Sequence, residues 1–167
     1  LNATKNSSLG SWDSQWEFIW RVVVDHTNTT QDVVYASTVL GAIQRSTDGG
    51  TSWKTVLGGF GNNYGYFSDV AITKSGVLYA TISQQAPGGQ SSIVKGIFRS
   101  TDGVKWTSIS PSFIPTKYAR IVMGTSETNE NTVYFLANTP GSGFKQIDFQ
   151  GREDWNSLWR YTYQSGD

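Results

Sequence analysis

Val33-Val34-Tyr35-Ala36-Ser37-Thr38 returns as Val77-Leu78-Tyr79-Ala80-Thr81-Ile82 and again as Val133-Tyr134-Phe135-Leu136-Ala137. The shared Tyr recurs at 35, 79 and 134. An apolar run precedes each copy: Val22-Val23-Val24, Val70-Ala71-Ile72 and Ile121-Val122-Met123. A third run follows each: Gly41-Ala42-Ile43-Gln44-Arg45, Gly96-Ile97-Phe98-Arg99 and Gly143-Phe144-Lys145-Gln146-Ile147. A fourth is expected from Trp53, Trp106 and Trp155. Four short β-rich runs repeating about every fifty residues are the pattern of propeller blades. A sandwich also has many short strands, but not one four-strand unit three times over. The expected fold is therefore all-β: a β-propeller section of three four-stranded antiparallel blades at 20–57, 67–110 and 119–159. Residues 1–19 are read as a lead or closing strand and 160–167 as a tail, all within one partial propeller spanning 1–167.

Between the third and fourth runs stands the most specific motif. It reads Ser46-Thr47-Asp48-Gly49-Gly50-Thr51-Ser52-Trp53 and, one residue shorter, Ser100-Thr101-Asp102-Gly103-Val104-Lys105-Trp106. A short Asp side chain accepts hydrogen bonds from backbone N–H groups just ahead of it. Gly supplies the positive φ of a tight hairpin, and Trp folds back under the turn to hold the register. The expected structural set is Ser46, Asp48, Gly50 and Trp53 in the first turn, and Ser100, Asp102, Gly103 and Trp106 in the second. A stretched third version, Asp148-Phe149-Gln150-Gly151-Arg152-Glu153-Asp154-Trp155, keeps Asp, Gly and Trp.

The motif and its flanks, Ile43-Gln44-Arg45, Ile97-Phe98-Arg99 and Lys54-Thr55-Val56, resemble the Asp-box or BNR repeat of sialidase-like propellers. Such propellers occur in sortilin-type, sialidase-type and xyloglucanase-type proteins and in exported surface proteins. The resemblance implies that the boxes sit on the blade rim, away from the ligand face, so Asp48 and Asp102 are read as turn residues. It also implies a secreted or cell-surface setting. The sialidase site is not reproduced: the Arg-Ile-Pro opening is missing, and Tyr118-Ala119-Arg120-Ile121 continues with Val122. Xyloglucanase-type propellers use paired Asp residues across a cleft. Asp25 and Asp69 are expected at opposite ends of their strands, so they do not make that pair.

Composition narrows the field further. Thirteen Lys and Arg balance thirteen Asp and Glu, which leaves no electrostatic footprint for nucleic acid. No apolar run has the length of a membrane span, so membrane insertion is not expected. There is no Cys, which removes thiol nucleophiles and Cys-based metal sites. The lone His26 has no second His beside it and reads as a turn residue rather than a metal ligand. No catalytic residue, metal or cofactor is expected. Leu1 in place of an initiator Met reads as a piece of something longer.

Ligand contact is expected on the connections from fourth to first and from second to third strands, which share one end of a propeller. The first such connection, 58–67, offers Phe60, Asn62, Asn63, Tyr64 and Tyr66 among glycines. Aromatic faces stack on sugar rings and amides bind hydroxyls, so these five are the candidate ligand residues. The same composition also serves the core of the next strand. The polar 83–92 stretch reads as a flap or interaction loop. Two functions remain: a non-catalytic extracellular module that binds glycan or protein, or a fragment of a secreted glycoside hydrolase. Three blades fall short of the roughly four to eight of a closed propeller. Further blades of the parent chain, or a second copy, are therefore expected partners.

Overall fold

The computed structural model describes residues 18–39, 42–58, 67–83 and 94–165. Among the described residues every regular element is a strand. The first four are β1 (Ile19–Val24), β2 (Val34–Thr38), β3 (Ala42–Ser46) and β4 (Lys54–Leu57). The second group is β5 (Ser68–Ile72), β6 (Leu78–Ile82), β7 (Gly96–Ser100) and β8 (Thr107–Ser108). The third is β9 (Ile121–Thr125), β10 (Thr132–Asn138), β11 (Phe144–Ile147) and β12 (Glu153–Thr162). They form three four-stranded antiparallel sheets. The first strands are neighbours, with β5 lying between β1 and β9, so the sheets splay from a common hub. This is a propeller section.

Strand alternation sends successive side chains to opposite faces, so each sheet feeds two interfaces. Val33, Tyr35 and Ile43 of the first sheet meet Val70, Leu78, Ala80, Ile82 and Phe98 of the second. The other face of the second sheet sends Ala71, Tyr79 and Ile97 against Ile121, Met123, Val133, Phe135 and Ala137 of the third. Each fully buried large side chain contributes about 1.5–3 kcal/mol over its exposed state. The middle sheet is apolar on both faces because it is covered on both.

The third sheet departs from the expected strand order. Its order is β11-β12-β10-β9, so β12 and not β11 lies beside β10. Register gives the reason. Tyr35 stands opposite Arg45, Tyr79 opposite Arg99, and Tyr134 opposite Arg160. Leu158-Trp159-Arg160 thus occupies the place of Ile97-Phe98-Arg99, and Phe144–Ile147 is half of a hairpin inserted before it. The hairpin pairs Phe144 with Asn156 and Ile147 with Glu153, beyond the end of β10. The expectation of a third strand at 143–147 and a fourth from Trp155 is corrected accordingly. The turn at 148–152 does have Asp48-like chemistry, since Asp148 Oδ1 accepts from the N–H of Gln150 (2.8 Å) and Arg152 (2.9 Å). It joins β11 to β12, however, and the positions equivalent to Ser100 and Asp102 hold Tyr161 and Tyr163.

Candidate functional site

The end of the section where β1, β5 and β9 begin carries a connected group of aromatic and charged side chains. The β1–β2 register slips between Ile19 and Arg21, which leaves Trp20 as the extra residue of a bulge. Bulges re-aim side chains, and here the indole turns onto the neighbouring blades. Its ring centroid lies 5.4 Å from that of Phe67, just ahead of β5. Phe18 meets it edge-on at 6.2 Å. The Arg120 guanidinium, just ahead of β9, lies 4.9 Å from the ring centroid. Residues of all three blades therefore converge on Trp20.

Beneath this group lies Asp69, buried. Its Oδ1 sits 2.7 Å from Arg21 Nε and accepts from the Val70 N–H, and its Oδ2 accepts from the Met123 N–H at 3.1 Å. Burial pushes its carboxyl up, while the Arg21 guanidinium and the Met123 and Val70 N–H groups pull it back. A carboxylate so enclosed binds the first and third blades to the second. It is a joint, with its acceptor sites directed at protein. Asp25 lies at the far end of β1, where Oδ1 accepts from the N–H (3.0 Å) and hydroxyl (2.6 Å) of Thr27. The two carboxylates do not face one another.

His26 also belongs to that far end, with Nε2 3.0 Å from the Lys74 carbonyl oxygen, so it links the first two blades through their turns. Glu130 makes the corresponding link between the second and third blades by accepting from the Ser75 N–H. No group of three or more metal-ligating side chains occurs among the described residues.

The 46–53 and 100–106 turns lie at the opposite end from Trp20. Asp48 accepts from the Ser52 N–H (2.9 Å) and hydroxyl (2.6 Å) and from the Ser46 hydroxyl (2.7 Å). These bonds lower its carboxyl to about 2. Trp53 Nε1 donates to the Gly50 carbonyl at 3.0 Å. In the shorter turn Asp102 accepts from the N–H groups of Val104 (2.8 Å) and Lys105 (2.7 Å). Its carboxyl is lowered mainly by those two N–H groups. Ser46 and Ser100 each accept from the N–H of the buried Gly50 and Gly103, both at 2.8 Å. Trp106 Nε1 is buried and has no acceptor among the described residues.

Among the described residues, grooves open between neighbouring sheets. One of about 390 Å³ lies between Arg45, Trp53 and Val104, and an apolar one of about 240 Å³ between Ile109, Phe113, Trp159 and Tyr161. Both are wedge gaps where the outer strands diverge. The candidate ligand residues Phe60, Asn62, Asn63, Tyr64 and Tyr66 lie outside the described residues, as does most of the 83–92 stretch. The described flank of the 58–67 connection, Phe67, packs directly on Trp20. Sequence reading missed Trp20, Arg21 and Arg120. The repeat marks where each strand starts, but not which rings and guanidinium groups meet across blades.

No family model matches the chain, and no curated protein matches it. Solved structures do. A GH74 enzyme from Niastella koreensis aligns with TM-score 0.58 at 16% identity, over 86% of this chain and 21% of its own. The GH74 xyloglucanase from Xanthomonas campestris aligns with TM-score 0.54 at 20% identity, over 86% of this chain and 20% of its own. The likeness establishes the fold. This chain spans about a fifth of the length of either enzyme.

Proposed function

We propose that the chain is a carbohydrate-binding propeller section of an extracellular protein, working at the end where β1, β5 and β9 begin. The observation that carries this is the convergence of Phe18, Trp20, Phe67 and Arg120 on that end, directly beside the 58–67 connection. Aromatic faces bury the apolar side of a sugar ring, and guanidinium and amide groups bind its hydroxyls. Within this reading Tyr64 is the candidate stacking platform, and Phe60, Asn62, Asn63 and Tyr66 are the other candidate ligand residues. The module binds without hydrolysing, because Asp69 is closed off by Arg21 and two backbone N–H groups. The Asp48 and Asp102 turns hold blade hairpins and take no part in the ligand site.

A second reading, a section of a secreted glycoside hydrolase, is supported by the likeness to the two GH74 structures. Xyloglucan and other soluble polysaccharides separate the two readings in one experiment. Retardation in affinity electrophoresis, weakened by Tyr64→Ala and without release of reducing ends, is the expected result. Release of reducing ends supports the second reading, and absence of retardation by any polysaccharide overturns the first.

A further inference from the structure

The two contacts between neighbouring sheets differ in what covers the Arg of the Tyr–Arg pair. At the second contact Arg99 is buried, and its guanidinium lies 4.1 Å from the ring centroid of Tyr163. At the first, Asp102 stands in the place of Tyr163, and Arg45 is only half-buried. The space beside Arg45 is the groove of about 390 Å³, walled by Arg45, Trp53 and Lys54 of the first sheet and Val104 of the second. Both walls belong to the contact between two sheets of the section, so the groove is not one of its outer faces.

The charges along this groove are unusual. Arg45 stands opposite Lys54 across β3 and β4, where the second sheet pairs Arg99 with Thr107. Like charges directly opposite one another on a sheet are destabilising. Among the described residues neither cation has a carboxylate within ion-pair distance. Asp102 is taken up by Ser100 and the N–H groups of Val104 and Lys105, and Asp48 by Ser46 and Ser52. Arg45 Nε donates to the Tyr35 hydroxyl at 3.1 Å, which fixes the guanidinium, and its Nη groups have no acceptor among the described residues. The Trp53 indole is fixed by its bond to the Gly50 carbonyl. Thr55 Oγ1 accepts from Gln44 Nε2, which leaves its own proton to donate, whereas the Ser52 hydroxyl donates to Asp48 and keeps lone pairs to accept.

We propose that this groove is a second binding site, which takes an acidic sugar residue. Its carboxylate or sulfate lies between Arg45 and Lys54, where charge-assisted hydrogen bonds relieve the repulsion of the two cations. Its ring lies against the Trp53 indole and Val104, an exposed apolar side chain on the facing wall. Thr55 and Ser52 offer one donor and one acceptor to its hydroxyls. The groove has the size of a small-ligand site, which runs from about 300 to 1,000 Å³. It lies at the opposite end of the blades from Trp20, and binding there does not depend on what the Trp20 end binds.

NMR titration of the isotope-labelled chain tests it, with oligogalacturonate as the carboxylate probe and carrageenan oligosaccharides as the sulfate probe. At least one of the two should shift the Trp53 indole and Val104 amide signals, and which one does so identifies the anionic group. Lys54→Gln should weaken that binding about tenfold, the loss of one charge-assisted hydrogen bond. Val104→Glu, which brings a carboxylate to the facing wall, should abolish it, and Tyr64→Ala should leave it unchanged. Lys54 and Val104 are both exposed, so neither substitution disturbs the core. Circular dichroism verifies folding, and Lys54→Glu replaces Val104→Glu should that variant not fold. Absence of shifts at Trp53 and Val104 with both probes overturns the proposal, as does undiminished binding by Lys54→Gln. Equal affinity for a neutral cello-oligosaccharide, or for inorganic sulfate alone, overturns it too, because the site would then read no charge or no sugar.

Discussion

The contact between the first and second sheets and the contact between the second and third share one register but differ in chemistry. At the first, the Tyr35 hydroxyl accepts from Arg45 Nε at 3.1 Å and rests on Gly103 of the Asp102 turn. A Cβ at Gly103 would overlap that hydroxyl, and the residue holds φ at 68°. At the second, Tyr79 meets Tyr161 edge-on with centroids 6.0 Å apart, and Arg99 lies 4.1 Å from the ring centroid of Tyr163. Tyr161 and Tyr163 replace the Ser and Asp of the turn. The first contact is thus held by a phenol seated in a glycine turn, and the second by edge-on rings and a guanidinium over a ring. What the repeat conserves is the position of the Tyr–Arg pair.

The largest expected effect tests the edge-on aromatic contact. Tyr79→Ala removes a buried ring from between two sheets and should cost about 3–5 kcal/mol, the range for large aromatic truncations. Urea denaturation measures it, and a loss near 1 kcal/mol would show that Tyr161 and Tyr163 close the gap by themselves.

The glycine contact should respond to addition rather than removal. Gly103→Ala places a Cβ against the Tyr35 hydroxyl at positive φ and should cost about 2–3 kcal/mol. Adding Tyr35→Phe should recover part of that loss, because the nearest of the overlapping atoms is gone while the ring carbons stay. Equal losses with and without Tyr35→Phe would mean that backbone conformation alone accounts for the cost.

Asp69 belongs to both contacts, through Arg21 of the first sheet and Met123 of the third. Asp69→Ala leaves the buried Met123 N–H unpaired and should cost about 1–3 kcal/mol. Asp69→Asn, which keeps an acceptor, should cost less. A smaller loss for Ala than for Asn in the same denaturation series would exclude the joint described here.

Acid sharpens the comparison by the smallest step. The Asp48 carboxyl is lowered to about 2 by its bonds to Ser52 and Ser46, below the usual 3.8. A depressed folded-state value adds stability above the unfolded value, and that stability is lost as pH falls. Melting temperature should therefore decline between pH of about 4 and 2, and Asp48→Asn should flatten part of that decline. Asp69 runs the other way. Its raised carboxyl disfavours the ionised form, so its own contribution improves on acidification and cannot be the source of the fall. An unchanged slope in Asp48→Asn would place the acid sensitivity elsewhere.

Much of this was legible in the chain. The recurring Tyr at 35, 79 and 134 marks the second strand of each sheet, where it stands opposite an Arg each time. The order of the third sheet was not, since Gly143-Phe144-Lys145-Gln146-Ile147 has the glycine and the alternation of a third strand. A signal was present: Leu158-Trp159-Arg160 is closer to Ile97-Phe98-Arg99, and it carries the Arg that stands opposite Tyr134. Local alternation identifies a strand, and only pairing says which strand it joins.

The sequence by itself determined the strand-forming runs, the Tyr–Arg repeat and the glycine-bearing turns, all of which act over a few neighbouring residues. Tertiary structure decided the rest. It placed β12 beside β10, turned Asp69 into a joint between three blades, brought Arg120 over Trp20 and left Tyr134 uncovered while burying Tyr35 and Tyr79. Each of these depends on groups well separated in sequence meeting, within the third sheet for β10 and β12 and across sheets for the others, and periodicity within a strand carries no information about that meeting.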